Sequence, residues 1–250
     1  FKNENKNKKV IFRTTGTIIF SDYEYLASVE CFIHHSQKNA KQLENSKNHK
    51  YEIIDQCAYN EDSLLKIKTI EETISKFLIL SRLSPEKGVE EIIDFFLMVC
   101  SENDVLFVAG NGVLESNLKI KYEQSANVRF LGFVNSSNLT DLFEAIDCLI
   151  IPSPEESGPL VGIESMCAGK TIISTRVGAM EERMHDTLND FWFNYNDFES
   201  FKTAFFRVKS LNQSQIEKNA ERLKAKYKRV YSINKIGEKY LNIVDKILNL

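Results

Sequence analysis

Two glutamates lie in or beside a helix predicted within Pro152–Gly169, and their carboxylates are well placed to bind a ligand. A proline at the first turn and a glycine just past the end predict a helix that begins at Pro159 and stops at Gly169. Glu164 lies inside this helix, and Glu156 lies in the loop before it. We therefore expect both carboxylates beside one site.

Apolar residues surround Glu164 on its predicted helix face. Leu160 and Val161 precede it by one turn, and Cys167 and Ala168 follow it by one turn. An unpaired buried charge costs several kcal/mol, so this carboxylate needs a partner. The paired hydroxyls of a ligand would suit a carboxylate that accepts two hydrogen bonds. An internal pair with Lys or Arg is the alternative.

The start of the same helix predicts an anion site. The loop Ser157–Gly158–Pro159 leads into Leu160 and Val161. Free N–H groups in the first turn of a helix attract phosphate, and open α/β sheets bind ligands at the carboxyl ends of their strands. We expect the amides of Gly158 to Val161 to point outward there.

A second candidate segment, Ser81–Gly88, carries two cations. Ser84 suits a helix N-cap and Pro85 a first helical residue, which places Lys87 in the first turn, where the helix dipole disfavours a cation. Together with Arg82 at the strand end, Lys87 could clamp a diphosphate. The alternative is a pair of solvated surface cations.

Other motifs exclude several functions. Ala109–Glu115 begins like a dinucleotide fingerprint, but Glu115 replaces the third glycine, so we reject an NAD site. The sequence has no D-x-D, H-E-x-x-H or cysteine cluster, and therefore no readable metal site. Gly-x-Ser-x-Gly, the commonest hydrolase signal, is absent. His34 and His35 are interpreted as structural.

Short apolar strands alternate with amphipathic helices after Lys76, which predicts a parallel α/β sheet. The clearest helix runs from Pro85 to Cys100. The predicted strands are Phe77–Leu80, Val105–Ala109, Val128–Gly132, Cys148–Pro152, Thr171–Thr175 and, weakly, Phe191–Asn194.

The first 75 residues predict a smaller α/β unit. Its strands lie near Val10–Thr14, Cys31–His34 and Tyr51–Asp55, with a helix over Gln37–Glu44. Three strands make a poor independent domain, so we interpret residues 1–75 as a partial first domain and its linker. Residues 76–210 form the second domain, and residues 211–250 form C-terminal helices that pack back toward the first.

Composition indicates a globular protein: 43% of the 250 residues are hydrophobic and 27% are charged. No apolar run reaches the roughly 18 residues of a membrane span. Five cysteines without a C-x-x-C pair suggest reduced thiols and a cytoplasmic location, with the inner membrane face as a further possibility. The high Lys and Asn content is typical of AT-rich bacterial genomes.

The C-terminal part is basic, with 12 Lys or Arg against 4 Asp or Glu from Lys202 onward. Apolar residues recur there at helical spacing, so each helix has one face to pack and one charged face. We interpret the charge as a solvated face, and an anionic membrane or nucleic-acid surface is the alternative.

Taken together, these segments resemble the donor domain of glycosyltransferase family 4, a group of retaining, nucleotide-sugar-dependent transferases with the GT-B fold. The resemblance runs from about Phe77 to Met184. Its motifs are Ser81–Leu83 with Lys87–Gly88, Leu106–Gly112, Leu131–Val134, the glutamate pair Glu156 and Glu164, and Gly169–Glu182.

The resemblance implies a Rossmann-like donor domain with a parallel sheet, preceded by a partial first α/β domain. It also implies roles for individual residues. Arg82 and Lys87 would hold the donor phosphates with the amides of Gly158 to Val161, and Glu164 would hold the ribose. Glu156 would contact the transferred sugar, and the backbone at Phe133–Val134 would meet the base. Glu156, Arg82 and Lys87 are the expected catalytic residues.

The expected function is metal-independent transfer of a hexose from a UDP- or GDP-linked sugar to a glycan, lipid or protein acceptor in surface polysaccharide biosynthesis. We expect no cofactor and no nucleic-acid partner; peripheral membrane association is left open. One alternative is a non-catalytic partner subunit, because Thr15 stands where the resemblance implies a histidine. A sugar-nucleotide epimerase of similar architecture is the other.

Overall fold

The structure is a computed structural model that describes residues 8–15, 28–43, 50–69 and 72–248. The chain forms two parallel β-sheets with helices packed against them. The strands are β1 (Ile11–Arg13), β2 (Cys31–His34), β3 (Tyr51–Ile53), β4 (Lys76–Leu80), β5 (Val105–Ala109), β6 (Val128–Gly132), β7 (Cys148–Ile151) and β8 (Thr171–Ser174).

The two sheets differ in the number and order of their strands. The smaller one has the order β1-β2-β3, and the larger one has the order β6-β5-β4-β7-β8. All pairings are parallel. The chain builds the larger sheet outward from β4 in one direction and then continues from β7 in the other. The strand order therefore reverses between β4 and β7.

Helices fill the connections, as the alternating pattern predicts. The helices are α1 (Gln37–Ala40), α2 (Glu61–Leu64), α3 (Val89–Val99), α4 (Glu115–Lys121), α5 (Leu139–Glu144), α6 (Leu160–Ala168), α7 (Met180–Met184), α8 (Phe198–Lys209), α9 (Gln213–Lys226) and α10 (Ile233–Leu248). None of these described helices is both long and apolar enough to cross a lipid bilayer.

The larger sheet is buried on both faces, which explains its continuous apolar strands. Successive residues of β4 point to opposite faces. Phe77 packs with Phe96 of α3 and Phe205 of α8 on one face. Leu78 belongs to the core of the other face, which includes Tyr227. Both hydrophobic cores are therefore built around this central strand.

The last helix packs on the smaller sheet. Ile236 and Ile243 of α10 are buried in one cluster with Cys31, Ile33 and Ile54. These isoleucines recur at helical spacing, so one face of α10 supplies the apolar surface that three short strands need. The C-terminal helix thus covers the sheet formed at the beginning of the chain.

The helix predicted from Pro85 to Cys100 is interrupted. A 3₁₀ turn spans Pro85–Lys87, and Gly88 then adopts a left-handed conformation with φ +64° before α3 begins. A Cβ at Gly88 would lie 3.1 Å from the Pro152 carbonyl oxygen, so close packing against the end of β7 requires the glycine. A tertiary contact thus overrides the helical periodicity.

Three further predictions hold only in part. Ser84 lies at the N-cap position of the Pro85–Lys87 turn, as predicted, but its hydroxyl makes no cap hydrogen bond and donates to Glu86 Oε1 at 2.7 Å. The strand predicted at Phe191–Asn194 is reduced to one bridge between Ser174 and Trp192. The helix predicted over Gln37–Glu44 ends in a 3₁₀ turn at Leu43, and its last residue lies outside the described residues.

Candidate functional site

The candidate site lies where the strand order of the larger sheet reverses. The loop after β4 and the loop after β7 meet there, because Gly88 approaches Pro152. In open α/β sheets this switch point forms a crevice at the carboxyl ends of the strands. The fold therefore brings together the two loops that carry the predicted cations and glutamates.

Lys87 and Glu156 contact each other across this crevice. The Lys87 ammonium donates a hydrogen bond to Glu156 Oε1, which also accepts one from the Ser153 hydroxyl at 3.1 Å. The two side chains are only 12% and 20% exposed. Partial burial strengthens their attraction relative to a surface pair. The two residues therefore form one unit of the site.

The structure changes the predicted helix around Lys87 but keeps its unfavourable position. Lys87 is the last residue of the Pro85–Lys87 turn and directly precedes Gly88, the N-cap of α3. It therefore lies at the positive end of an 11-residue helix, where the dipole disfavours a cation. The contact with Glu156 compensates for this position and is a further structural reason to single out this lysine.

Arg82 remains at the surface. Its side chain is 71% exposed, and its guanidinium lies 3.5 Å from Glu86 Oε1, one helical turn along the chain. An exposed ion pair of this kind contributes about 0 to 1 kcal/mol. Among the described residues, no hydrogen bond or ion pair joins Arg82 to Glu156 or Glu164. The guanidinium is free to reorient toward a ligand.

Glu164 is buried on α6, as its apolar neighbours predict. It is 7% exposed, and burial raises the pKa of its carboxyl group to about 7. No Lys or Arg of the described residues pairs with it, so the alternative of an internal ion pair is wrong. Desolvation raises the pKa of this carboxyl group, and no neighbouring cation among the described residues lowers it again.

The start of α6 presents free amides. Pro159 is the N-cap, and α6 begins at Leu160, one position later than predicted. In the described part of the chain, the amides of Gly158, Leu160 and Val161 donate to no acceptor. Their orientation and the helix dipole both favour an anion.

Phe133 and Val134 follow β6 at the edge of the larger sheet. Phe133 is exposed and Val134 is half-buried. The loop after β5 is tied to this strand end, because the Gly110 amide donates to the Gly132 carbonyl at 2.7 Å. In the described residues, no hydrogen bond or ion pair links Phe133 to either glutamate.

The glycine turn after β5 has a packing role. A Cβ at Gly110 would overlap the Ser81 carbonyl oxygen, and one at Gly112 would overlap that of Leu83. The Leu83 amide donates to the Asn111 carbonyl at 2.8 Å. These glycines bring two loops together, so the resemblance to a dinucleotide fingerprint comes from loop packing.

A cleft of about 350 Å³ opens beside Glu156, between α1 with the turn that follows it and the loops after β7 and β8. It is lined by Lys38, Asn39, Gln42, Pro154, Glu155, Glu156, Val177 and Gly178. Lys38 Nζ donates to the Arg176 carbonyl at 2.6 Å at this boundary. Residues from both parts of the chain therefore line it.

The sequence analysis missed a buried ion pair at the same boundary. Arg183 Nε and NH2 donate to the two carboxylate oxygens of Asp55, each at 2.7 Å, and NH1 donates to the Pro159 carbonyl at 2.6 Å. Arg183 is completely buried. Arg183 lies between Glu182 and Met184 on a short helix, and Asp55 is the last residue of a predicted strand. Neither position carries a local sequence signal of burial.

Further polar contacts extend this pair into the smaller sheet. His35 Nδ1 lies 3.3 Å from Asp55 Oδ1 and 3.3 Å from Arg13 NH2. Arg13 NH1 donates to the Tyr240 hydroxyl. The Arg183 guanidinium holds the pKa of Asp55 well below its usual range, even though burial alone would raise it. The Asp55 carboxylate is therefore ionised.

Comparison with known proteins identifies the family. A profile described as "Glycosyl transferases group 1" matches residues 60–229. An uncharacterized glycosyltransferase of Methanocaldococcus jannaschii, MJ1607, is 30% identical over 137 residues, which are 53% of this chain and 35% of that protein. An Escherichia coli protein named UDP-Gal:alpha-D-GlcNAc-diphosphoundecaprenol alpha-1,3-galactosyltransferase is 25% identical over 140 residues, 53% of this chain and 36% of its own length.

The chain spans about a third to a half of the length of these curated relatives. Solved structures agree on the fold. A glycosyltransferase from Rickettsia africae superposes with a TM-score of 0.81 at 18% identity, covering 98% of this chain and 72% of that one. Anabaena Alr3699/HepE in complex with UDP superposes with a TM-score of 0.80 at 16% identity, covering 98% and 74%.

These neighbours are GT-B glycosyltransferases, so the predicted fold class, a Rossmann-like donor domain with a parallel sheet and C-terminal helices, is confirmed. The family profile covers more than half of the chain and includes both loops of the candidate site. The chain therefore belongs to the group 1 glycosyl transferases.

Proposed function

We propose that this chain binds a nucleotide diphosphate sugar and transfers its hexose with retention of configuration, as a member of glycosyltransferase family 4. The observation that carries the proposal is Glu164, a buried carboxylate with no partner among the described residues. A carboxylate in that position gains most from a ligand that donates two hydrogen bonds, and a ribose has two such hydroxyls.

The phosphates of the donor would lie between Lys87, Arg82 and the amides at the start of α6. These groups provide cations and N–H donors at one crevice, where a diphosphate needs charge compensation. We propose that they act without a metal ion or other cofactor. The donor phosphate, stabilised by these groups, would then assist removal of the acceptor proton on the same face of the sugar.

The transferred sugar would lie near Glu156, and the base near the backbone of Phe133 and Val134. The cleft beside Glu156 supports this arrangement, because α1 and the turn that follows it line its other side. An acceptor entering the cleft would meet residues from both parts of the chain. We assign the acceptor to the glycan, lipid-linked or protein class.

Relatives support a role in surface polysaccharide biosynthesis. They include transferases named for diphosphoundecaprenol-linked sugars and a mannosyltransferase named as GDP-mannose-dependent. We propose a UDP- or GDP-linked donor for this chain and a place on the cytoplasmic side of a membrane. The alternative of a non-catalytic partner subunit gains no support from these relatives.

Nucleotide binding tests the proposal. Thermal unfolding is measured with UDP, GDP and ADP at millimolar concentration, because a ligand at 100 times its dissociation constant adds about 2.7 kcal/mol of stability. We expect one nucleotide to raise the melting temperature of the wild type and of Glu144→Ala, an exposed control on α5. Glu164→Ala should lose the shift.

Two outcomes count against the proposal. A shift that Glu164→Ala retains would remove the ribose role of this carboxylate. No shift with any of the three nucleotides would contradict donor binding by this chain. Repetition in EDTA tests the metal-free site, where an unchanged shift is expected.

A further inference from the structure

The Arg183–Asp55 ion pair has no part in the donor site proposed above, yet it reaches the amides of that site. Arg183 NH1 donates to the Pro159 carbonyl, which also accepts a hydrogen bond from the Gly162 amide at 3.0 Å. Pro159 is the N-cap of α6. The guanidinium therefore contacts the backbone at the point where the free amides begin.

Because the peptide bond is planar, this contact with the Pro159 carbonyl also sets the direction of the Leu160 N–H. In a trans peptide the C=O and the following N–H point in opposite directions within one plane. A guanidinium that holds the Pro159 carbonyl on one side consequently directs the Leu160 N–H to the other side. The chain has no cis peptide among its described residues, so this relation applies here.

A neighbouring peptide is held in the same way. The Ala179 amide, at the N-cap of α7, donates to the Ser157 carbonyl at 3.1 Å. This contact directs the Gly158 N–H away from α7. Gly158 also packs closely against Arg183 and His35, since a Cβ there would lie 3.0 Å from Arg183 NH2 and 3.2 Å from His35 Cβ and would require these neighbours to shift by a few tenths of an ångström. The α7 segment thus orients two of the free amides.

Asp55 holds the Arg183 guanidinium in the position from which it contacts the Pro159 carbonyl. Its carboxylate receives two parallel N–H bonds from Arg183, the bidentate geometry that restricts an arginine most strongly. Asp55 itself is held by the Gln56 amide at 2.8 Å and lies beside His35. Because Asp55 follows β3, this ion pair connects the smaller sheet to the start of α6.

We infer that Arg183 and Asp55 are positioning residues for the donor diphosphate: the ion pair orients the Gly158 and Leu160 amides and couples phosphate binding to the contact between the smaller sheet and the donor site. The inference rests on the proposed function. It assigns to the smaller sheet a role in binding the donor and not only the acceptor.

The experiment compares ligands with and without phosphates. Affinities of the full chain are measured by calorimetry for the nucleoside diphosphate that binds the wild type and by ligand-observed NMR for the corresponding nucleoside. Asp55→Asn keeps the shape of the side chain and removes the charge. We expect the diphosphate affinity to fall by roughly tenfold or more, as for a lost charge-assisted hydrogen bond, while nucleoside affinity stays within about twofold.

Arg183→Lys is the second variant. A lysine can pair with Asp55, but it lacks the fork that also reaches the Pro159 carbonyl. We expect a selective loss of diphosphate affinity here too, and this variant carries the comparison if Asp55→Asn does not fold.

The matched control is Asp104→Asn. Asp104 is also buried and pairs with Lys209 at the amino end of β5, whereas the candidate site lies at the carboxyl ends of the strands. Its loss should lower thermal stability without changing the ratio of the two affinities. An unchanged ratio in Asp55→Asn and Arg183→Lys, with wild-type binding intact, would overturn this inference alone. A wild type that binds none of UDP, GDP and ADP would overturn the proposed function as well.

Discussion

The ammonium group of Lys87 donates a hydrogen bond to the carboxylate of Glu156, across the crevice between the loops after β4 and β7. Lys87, which we propose binds the donor phosphates, and Glu156, which we propose contacts the sugar, therefore neutralise each other's charge. A diphosphate that binds Lys87 competes with Glu156. We therefore expect the two residues to affect nucleotide affinity differently.

Substitutions of Lys87 and Glu156 should have different effects on the affinity for a nucleoside diphosphate. Lys87→Met should lower the affinity for the nucleoside diphosphate by roughly tenfold, because a charge-assisted hydrogen bond is lost. Glu156→Gln should raise it or leave it unchanged, because a competing negative charge is removed. Calorimetric titration measures both. Lys235→Met and Glu238→Gln, which break an exposed pair on α10, are the controls. Parallel losses in both site variants would contradict the competition.

Glu164 should make stability depend on pH. Burial raises the pKa of its carboxyl group from an ordinary 4.5 to about 7. Between these values the folded chain keeps a proton that the unfolded chain has lost, so the contribution of Glu164 to stability decreases as pH rises through this window. The free energy of unfolding of Glu164→Gln, relative to that of the wild type, should therefore increase by roughly 1 to 3 kcal/mol as the pH rises from 4.5 to 8.

Urea unfolding of both proteins across this range tests the effect. The difference between variant and wild type is the quantity of interest, because other titrating groups contribute equally to both. A difference that stays constant with pH would show that the carboxylate is not desolvated as described.

The same carboxylate should make donor binding depend on pH. Ribose hydroxyls donate to the ionised form, so affinity for a nucleotide sugar should rise between pH 6 and pH 8. A nucleotide sugar is the suitable ligand, because its diphosphate has no terminal phosphate group that titrates near neutrality. Glu164→Gln should show a weaker affinity without this rise. A rise that persists in the variant would assign it to another group.

Arg82→Ala should affect phosphates selectively. The side chain is 71% exposed and makes one long ion pair, so the free energy of unfolding should change by less than about 0.5 kcal/mol. Affinity for the nucleoside diphosphate should fall more than affinity for the monophosphate. Arg222→Ala, an exposed arginine on α9, is the control. Equal losses for both nucleotides would argue against a diphosphate clamp.

Two glycines should respond to alanine in opposite directions. Gly110 has φ +126°, and a Cβ there would overlap the Ser81 carbonyl oxygen, so Gly110→Ala should cost roughly 3 kcal/mol or more. Gly237 lies within α10 with open space around it, so Gly237→Ala should stabilise by about 0.5 to 1 kcal/mol. Chemical denaturation measures both. A small cost at Gly110 would mean that the two loops separate easily.

Much of the larger sheet follows from local pattern. The runs Val105–Ala109 and Val128–Gly132 are short, apolar apart from Arg129, and bounded by turn residues, so the predicted strands coincide with β5 and β6. The burial of Glu164 follows from its apolar neighbours on one helix face. In these places a local pattern and the tertiary environment agree.

Other features depend on contacts between distant parts of the chain. The order of the strands, and hence the switch point between β4 and β7, leaves no periodic signal. The left-handed turn at Gly88 is set by the approach to Pro152, which is 64 positions away in the sequence. Arg183 and Asp55, separated by 128 positions, each read as ordinary charged residues until the fold brings them together. Pairing across such distances is not encoded in any single segment.

The placement of α10 on the smaller sheet has a consequence for the order of folding. Arg13 and Tyr240 contact each other although 227 positions separate them. The strands β1 to β3 are synthesised before α10 and lack this apolar cover until α10 has been made, whereas the larger sheet has its own helices earlier. The smaller sheet is thus expected to become stable after the larger one, and the closing of this long loop is expected to limit the folding rate.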